Sequence, residues 1–97
     1  MNDRELLELA AKAAGMRVNF DPASSYFWNP LTDDGDALRL AATLNINIYY
    51  RENINGAFVI ADKEGIYFCA ESLDGPHEWE ATRRAIVRAA AEIGRKM

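Results

Sequence analysis

The sequence is poor in the side chains that bind metals and carry out nucleophilic chemistry. Among its 97 residues there is one histidine, His77, and one cysteine, Cys69. An intramolecular disulfide needs two cysteines, and a structural zinc site needs about four Cys or His ligands. The six glycines are scattered along the chain and form no phosphate-binding loop. We therefore predict a non-enzymatic protein with no catalytic residues, no metal and no cofactor.

Long apolar runs and a strong charge of one sign are also missing. No segment approaches the roughly 20 apolar residues that a membrane-spanning helix needs, and the amino-terminal residues do not resemble a signal peptide. These absences predict a cytoplasmic protein without a membrane partner. The formal net charge of −4 is unfavourable for binding nucleic acid, because the phosphate backbone attracts basic surfaces.

The residues that are present predict one domain, 1–97, since 49% of them are hydrophobic and 27% are charged, as in globular proteins. Hydrophobic periodicity predicts helices at 2–14, 33–44 and 78–96, and strands at 45–53, 56–62 and 65–71. Short turns around Asn55-Gly56 and Asp62–Gly65 join the strands and predict a three-stranded antiparallel meander. The expected fold class is α+β, with this meander packed against three helices. A doubtful strand at 16–20 gives the order α-(β)-α-β-β-β-α.

The apolar pattern also predicts which side chains face the core. In the last helix Trp79, Ile86 and Ala90 recur at near-helical spacing, so we expect them, with Ile93, to pack against the sheet. The other residues expected to face inward are Leu38, Ala41, Ala42, Leu44, Ile46, Ile48, Phe58 and Ile60, with either Ile66 and Phe68 or Tyr67 and Cys69.

Three carboxylates, Asp33, Asp34 and Asp36, lie close together in the segment WNPLTDDGDALRLAATLN at residues 28–45. A calcium loop of the EF-hand type fails from either Asp33 or Asp34, because the required ligands are missing at its fifth and twelfth positions. A helix start fits better, with Thr32 or Asp33 as the N-cap and the other carboxylates near the positive end of the helix dipole. One cap does not need three acids, so Asp34 and Asp36 stay candidates for contact with a partner.

Three adjacent aromatic residues, Tyr26, Phe27 and Trp28, precede this segment. They cannot all point inward from one helix or strand. Trp28 is either a core plug that anchors the second helix or, like Tyr26, an exposed anchor for a partner, since Trp and Tyr are enriched at binding hot spots. The sequence leaves both alternatives open.

The last helix carries a stripe of arginines, Arg84, Arg88 and Arg95, on one face. Residues 78–97 include five basic and three acidic side chains, a net charge of +2 against −6 for the rest of the chain. Such a stripe can contact phosphates. Acidic residues four positions away favour a solvated face with internal ion pairs instead. The pairs with that spacing are Glu80 with Arg84 and Glu92 with Lys96.

Two segments, WNPLTDDGDALRLAATLNI (28–46) and EATRRAIVRAAAEIGRKM (80–97), resemble a family of short, uncharacterised proteins encoded by tailed phages and prophages of Gram-negative bacteria. Members are similar in these two blocks and in an amino-terminal helix ending in AAG, and they vary in the middle of the chain. The resemblance implies a viral accessory protein that acts in a bacterial cytoplasm. It assigns no role to any individual residue.

These observations predict an interaction protein that binds a bacterial host protein or a phage protein, with inhibition during host takeover or counter-defence as the expected effect. The first or last strand of the meander can add to a partner's sheet, and a homodimer is a further candidate assembly. Two alternatives stay open. One is a nucleic-acid-associated protein that uses the arginine stripe; the other is a small-ligand-binding sponge lined by aromatic residues and Asp34 or Asp36.

Overall fold

In the computed structural model of the chain, the described residues form three helices and a three-stranded antiparallel sheet. The structure describes residues 2–16, 28–54, 56–64, 67–73 and 78–97. In chain order the elements are α1 (Asp3–Ala14), α2 (Asp34–Leu44), β1 (Asn47–Asn53), β2 (Gly56–Lys63), β3 (Tyr67–Ser72) and α3 (Glu78–Arg95). The predicted α+β class and the meander are confirmed. The doubtful strand at 16–20 lies, from residue 17 onward, outside the described residues.

The ends of α1 and α2 are set by local hydrogen bonds. Asn2 caps α1, since its side-chain oxygen accepts a hydrogen bond from the backbone N–H of Glu5 at 2.8 Å. Gly15 ends α1 in the left-handed conformation, with φ of 67°, and Asn45 ends α2 in the same way, with φ of 55°. Glycine and asparagine adopt this conformation at low cost. The predicted bounds of all three helices are therefore correct to within one residue.

The sheet follows chain order, β1-β2-β3, and both pairs of neighbours are antiparallel. The residues of β1 and β2 pair one to one along the whole of β1, so no bulge interrupts this pair. Val59 and Ala61 on β2 are fully buried in the same core cluster as residues of all three helices. The helices therefore cover the face of the sheet on which Val59 and Ala61 lie.

The prediction that Phe58 and Ile60 face the helices is wrong. Neighbouring residues of a strand point to opposite faces, and Val59 and Ala61 occupy the face that the helices cover. Ile60 is buried, at 5% exposure, but it lies outside that core cluster. The segment GAFVIAD has apolar residues at consecutive positions, so alternation alone does not decide which face is inward. The pairs predicted for β3 (Ile66 with Phe68, or Tyr67 with Cys69) have side chains outside the described part.

The central element of the fold is α3, which packs against α1, α2, β2 and β3. Its buried residues are Ala85, Ile86, Val87, Ala89, Ala90, Ala91 and Gly94. The tightest approach is at Gly94, where an added Cβ would lie 2.0 Å from the carbonyl oxygen of Leu9 in α1. Small residues in α3 thus let three helices and the sheet share one core.

Trp79 and Leu38 were both expected in the core, and both are 68% exposed. Ala42 is exposed as well. Helical spacing sets the direction of a side chain around the helix axis, but it does not say whether a neighbouring element reaches that level of the helix. In α2 apolar residues occur on both faces, so the pattern predicts too wide an inward stripe. The predicted residues that do lie in the core or pack against it are Ala41, Leu44, Ile46, Ile48, Ile86 and Ala90.

Candidate functional site

The three carboxylates near the start of α2 are held in different intramolecular contacts. Asp33 is the N-cap, and its Oδ2 accepts a hydrogen bond from the Asp36 N–H at 2.8 Å, which confirms the predicted helix start. Asp36 is buried, at 3% exposure. Its carboxylate accepts a hydrogen bond from the Asn29 N–H at 3.0 Å and lies 3.4 Å from the Arg39 guanidinium. Burial therefore removes Asp36 from the candidates for contact with a partner.

The third carboxylate, Asp34, links α2 to α3. Its Oδ1 lies 2.6 Å from Nη1 of Arg83, and the Arg83 Nε donates a hydrogen bond to the carbonyl oxygen of Leu31 at 2.9 Å. The Arg83 side chain is 19% exposed, whereas that of Asp34 is 75% exposed. Arg83 therefore clamps the start of α2 to α3. Sequence reasoning missed Arg83, because its partners lie 49 and 52 positions away and no local spacing marks such a contact.

Trp28 lies in the core, at 2% exposure, so it is a core plug and not an exposed anchor. It leads into a tight turn, in which the Asn29 side-chain oxygen accepts a hydrogen bond from the Leu31 N–H at 3.0 Å. The Asn29 carbonyl accepts another from the Asp33 N–H at 2.9 Å. These bonds fix the chain just before α2. Tyr26, the other candidate anchor, lies outside the described residues.

Two arginines of the predicted stripe pair with carboxylates on other elements. Arg84 lies 3.5 Å from Asp3, at the start of α1. Arg88 lies 2.5 Å from Glu71 of β3. These ion pairs link α3 to α1 and β3. The two arginines therefore have intramolecular partners, with which any external ligand would have to compete.

The third arginine, Arg95, pairs with Glu92 on its own helix. This contact lowers the pKa of Glu92 and raises that of Arg95, chiefly through the hydrogen bonds between the two side chains. Glu92 also lies 3.5 Å from Lys96, which confirms the predicted i,i+4 pair. Each guanidinium of the stripe therefore already faces a carboxylate.

Two aromatic side chains, one on β1 and one on α3, are exposed. Tyr50 is 59% exposed and Trp79 is 68% exposed. The Tyr50 hydroxyl lies 3.4 Å from Oγ1 of Thr82. Trp79 and Thr82 are three residues apart on α3 and so lie on the same side of that helix. The contact thus brings Tyr50 to the side of α3 on which Trp79 lies, although the apolar pattern placed Trp79 inside.

The outer side of β1 carries backbone groups that β2 does not use. The Leu73 N–H donates to the Ala57 carbonyl at 2.9 Å, so the backbone N–H and C=O groups of the odd-numbered residues of β2 point toward β3. In antiparallel strands these groups alternate in direction from one residue to the next, so those of the even-numbered residues of β2 point toward β1. Their partners in β1 are odd-numbered. The N–H and C=O groups of Ile48, Tyr50 and Glu52 therefore point away from β2. No other strand of the described residues pairs with them.

We call these outward groups of Ile48, Tyr50 and Glu52, together with the Trp79 side chain, the β1 edge. Natural edge strands are commonly protected from further pairing by charged side chains, above all lysine, by proline or by a bulge. The strand β1 contains neither proline nor lysine, its charged residues are Arg51 and Glu52, and most of its side chains are exposed. It also pairs with β2 without a bulge. The β1 edge can therefore accept a further strand through backbone hydrogen bonds.

The opposite face of β1 carries a polar cluster. The Tyr49 hydroxyl donates to Asp62 at 3.1 Å, and the Asn47 side chain donates to the same carboxylate at 3.2 Å. The hydrogen bond to Asp62 raises the pKa of Tyr49 above its ordinary value. The Arg51 guanidinium lies 5.9 Å from the centre of the Tyr49 ring, within the range of a cation–π contact. Both faces of β1 thus carry an aromatic side chain, with that of Tyr49 directed toward β2.

Neither a cluster of three or more potential metal ligands nor a helix long and apolar enough to cross a membrane occurs among the described residues. Comparison with protein-family models, with curated proteins and with solved structures gave no match. The surface chemistry of the described residues is therefore the basis for a functional assignment.

Proposed function

We propose that the chain is a non-enzymatic phage or prophage accessory protein that binds a host or phage protein through the β1 edge. One observation carries this proposal: an unbulged edge strand with outward backbone groups at Tyr50, whose exposed side chain reaches the side of α3 that also carries the exposed Trp79. The ligand we expect is an extended segment of the partner that adds to the sheet as a further strand.

Strand addition divides the binding energy between backbone and side chains. The N–H and C=O groups of Ile48, Tyr50 and Glu52 supply hydrogen bonds whatever the partner's sequence. Selectivity then comes from side chains, and Tyr and Trp are the residues most often found at binding hot spots. Tyr50 pairs with Val59 and so lies on the face of the sheet that the helices cover, toward Trp79. We therefore expect the partner's strand to place apolar side chains on that face.

The electrostatics of α3 favour a protein partner over nucleic acid. Arg84, Arg88 and Arg95 each face a carboxylate, and the whole chain has a formal net charge of −4. Phosphate binding would have to compete with these ion pairs on an acidic body. The small-ligand alternative is weakened too, because Trp28 and Asp36, two of its expected lining residues, are buried.

The resemblance of residues 28–46 and 80–97 to phage proteins is the reason for expecting the partner in a bacterial host. A protein that occupies a segment of its partner by strand addition prevents that segment from binding anything else. Inhibition of the partner, as in host takeover or counter-defence, is therefore the effect we expect from such a complex.

The test is to recover proteins that co-purify with the tagged chain from host cells, and to compare Trp79→Ala with Leu38→Ala. Leu38 is a matched control, because it is also 68% exposed but lies on α2. A hot-spot truncation costs about 2 kcal/mol or more, which weakens binding by roughly 30-fold. Wild type and Leu38→Ala should retain the partner, and Trp79→Ala should lose it. Calorimetry with the purified pair then measures the difference in Kd.

A partner that binds both variants as tightly as it binds the wild type would contradict the assignment of the β1 edge. A second measurement addresses the nucleic-acid alternative. Anisotropy titration with random duplex at near-physiological salt should show no binding at about micromolar concentration. Tight binding that disappears when Arg84→Glu and Arg88→Glu are combined would favour the nucleic-acid function instead.

A further inference from the structure

We infer that the β1 edge of the free protein is occupied by a second copy of the chain, in an antiparallel dimer whose twofold axis passes between the two Tyr50 residues. This inference rests on the surface used in the proposed function. It identifies what binds that surface when no other partner is present. The observations behind it are the direction of the backbone groups and the self-complementary sequence of β1, NIYYREN.

The backbone allows few registers for such a dimer. Only Ile48, Tyr50 and Glu52 direct their N–H and C=O groups outward, so only these residues can form the hydrogen-bonded pairs with a second strand. When Tyr50 faces Tyr50 of the second copy, Ile48 faces Glu52, and all three outward residues are paired. A register shifted toward either end of β1 pairs only two of the three within the strand. The register centred on Tyr50 therefore forms the most hydrogen bonds.

Side-chain charges favour the same register. With the axis at Tyr50, Arg51 faces Tyr49 of the second copy, and within one chain the same two groups already lie 5.9 Å apart as a cation over a ring. The register shifted toward the β1–β2 turn instead places Arg51 opposite Arg51, and like charges directly opposite each other destabilise a strand pair. The one acidic residue of β1, Glu52, faces the apolar side chain of Ile48.

The dimer also covers exposed aromatic surface. Tyr50 is 59% exposed and lies on the helix-covered face of its own sheet. A twofold axis perpendicular to the sheet keeps the helices of both copies on that face and sets the two Tyr50 side chains against each other, a favourable cross-strand pair. Tyr50 contacts Thr82, and Trp79 lies about one turn before Thr82 on the same side of α3, so we expect Trp79 near the same interface. The result is one continuous sheet formed by β1, β2 and β3 of both copies.

A dimer at this edge makes binding of another partner competitive. Any protein that adds a strand to the β1 edge must first displace the second copy. Its apparent affinity should therefore fall as the concentration of the chain rises, by mass action. The dimer also covers an edge that would otherwise be open to indiscriminate pairing.

The test uses the fact that position 50 faces itself across the axis. The variants Tyr50→Lys and Tyr50→Glu each bring like charges together, so each should sediment as a monomer where the wild type sediments as a dimer. Mixed in equal amounts, the two variants bring opposite charges together and should form a dimer. We expect a rise of at least about tenfold in the dimer Kd for each variant alone, and recovery in the mixture.

Leu38→Lys and Leu38→Glu are the matched controls and should sediment like the wild type, because Leu38 is exposed on α2. Amide hydrogen exchange gives a readout that needs no variant. In the wild type the N–H groups of Ile48, Tyr50 and Glu52 should become protected as concentration rises. Those of Tyr49 and Arg51 bond to β2 and should be protected at every concentration.

The inference is overturned if the wild type is monomeric at all concentrations with fast exchange at Ile48, Tyr50 and Glu52. It is also overturned if the single variants still dimerise, or if their mixture does not. These outcomes leave the proposed function standing as long as Trp79→Ala loses a partner that Leu38→Ala retains. Conversely, the mixture of variants can dimerise while no partner is sensitive to Trp79→Ala. That outcome supports this inference and contradicts only the proposed function.

Discussion

Replacing Gly94 with alanine is expected to destabilise the protein, although alanine is the better helix former. Gly94 is buried near the end of α3, where this helix approaches α1. An added Cβ would lie 2.0 Å from the carbonyl oxygen of Leu9 and 2.9 Å from its carbonyl carbon. Both atoms belong to the backbone, so no rotation of a side chain can relieve the contact.

The two effects of Gly94→Ala on stability have opposite signs. Helix propensity alone favours alanine by about 1 kcal/mol in a helix interior, and by less near an end. A carbon atom normally approaches a carbonyl oxygen to about 3.3 Å, so α1 and α3 must separate by roughly 1 Å to admit the methyl group. Overpacking in a core costs about 1–3 kcal/mol. Because the shift moves a whole helix–helix contact, we expect the upper part of that range and a net loss of about 1–2 kcal/mol.

Urea denaturation followed by circular dichroism measures this loss. In a domain of this size each 1 kcal/mol also lowers the melting temperature by about 4–8 °C. Gly35→Ala is the matched control, because its added Cβ would meet only side-chain atoms of Asp33 and Arg39, at 3.2 and 3.5 Å. The exposed Arg39 side chain can move away, whereas Oδ2 of Asp33 holds the N-cap hydrogen bond of α2 and must give by a few tenths of an ångström, so the control should change stability by less than about 1 kcal/mol in either direction. A Gly94→Ala protein as stable as the wild type would refute the close approach of α1 and α3.

Three further changes test other contacts of the fold. Arg83→Ala removes the clamp between α2 and α3 and should cost about 1–3 kcal/mol in urea denaturation, whereas Arg4→Ala, which removes an exposed i,i+4 pair, should cost no more than about 0.5 kcal/mol. Trp28→Ala should cost about 3–5 kcal/mol, and a loss below about 0.5 kcal/mol would mean that this side chain faces water. In an ultraviolet titration Tyr49 should lose its proton at a higher pH than an ordinary tyrosine, and Asp62→Asn should lower its pKa. Because the folded pKa is raised, the stability linked to Tyr49 is fully present below the unfolded pKa and is lost as pH rises through the folded one.

The parts of the fold that the sequence predicts well are those set by local chemistry. Asn2, Gly15 and Asn45 determine where α1 and α2 begin or end through hydrogen bonds and backbone angles within a few residues. Gly56 opens β2 with φ of 121°, a conformation that favours glycine, at the turn that the Asn-Gly signal predicts. Element order and fold class follow from such signals, because each needs only neighbouring residues.

The parts that the sequence does not predict depend on contacts between distant residues. The inward face of β2 is decided by the packing of α3 on Val59 and Ala61, and the alternation of GAFVIAD fits either face. Trp79 has the helical phase of a core residue but extends from the first turn of α3 into solvent. Arg83 pairs with residues of α2 and the turn before it. None of these outcomes leaves a signal within a short window of sequence.

The difference between local signals and distant contacts also explains why some predicted site residues turn out to be structural. A cluster of charged residues in a sequence suggests a binding site, yet Asp34 and Asp36 form contacts that stabilise the fold. The β1 edge has no such cluster. It exists because β1 is the first strand of a meander and because α3 meets the sheet mainly at β2 and β3, so Tyr50 stays exposed.

Residues 28–46 and 80–97 occupy a different part of the molecule from the β1 edge. They meet at the Arg83 clamp and supply much of the core, whereas Tyr50 and Trp79 lie outside both segments. The residues that build the core are therefore largely separate from those that we propose bind a partner.

Replacing the exposed side chains of residues 47–53 with other side chains of similar size should therefore leave the melting temperature near that of the wild type, because most side chains of β1 are exposed and surface changes usually alter stability by less than about 0.5 kcal/mol. The same exchange should abolish capture of the wild-type partner, since the side chains that select it are replaced while the backbone groups remain. Retention of that partner with unchanged affinity would show that the β1 edge is not the selective surface. A large fall in melting temperature would show that the sequence of β1 belongs to the scaffold as well.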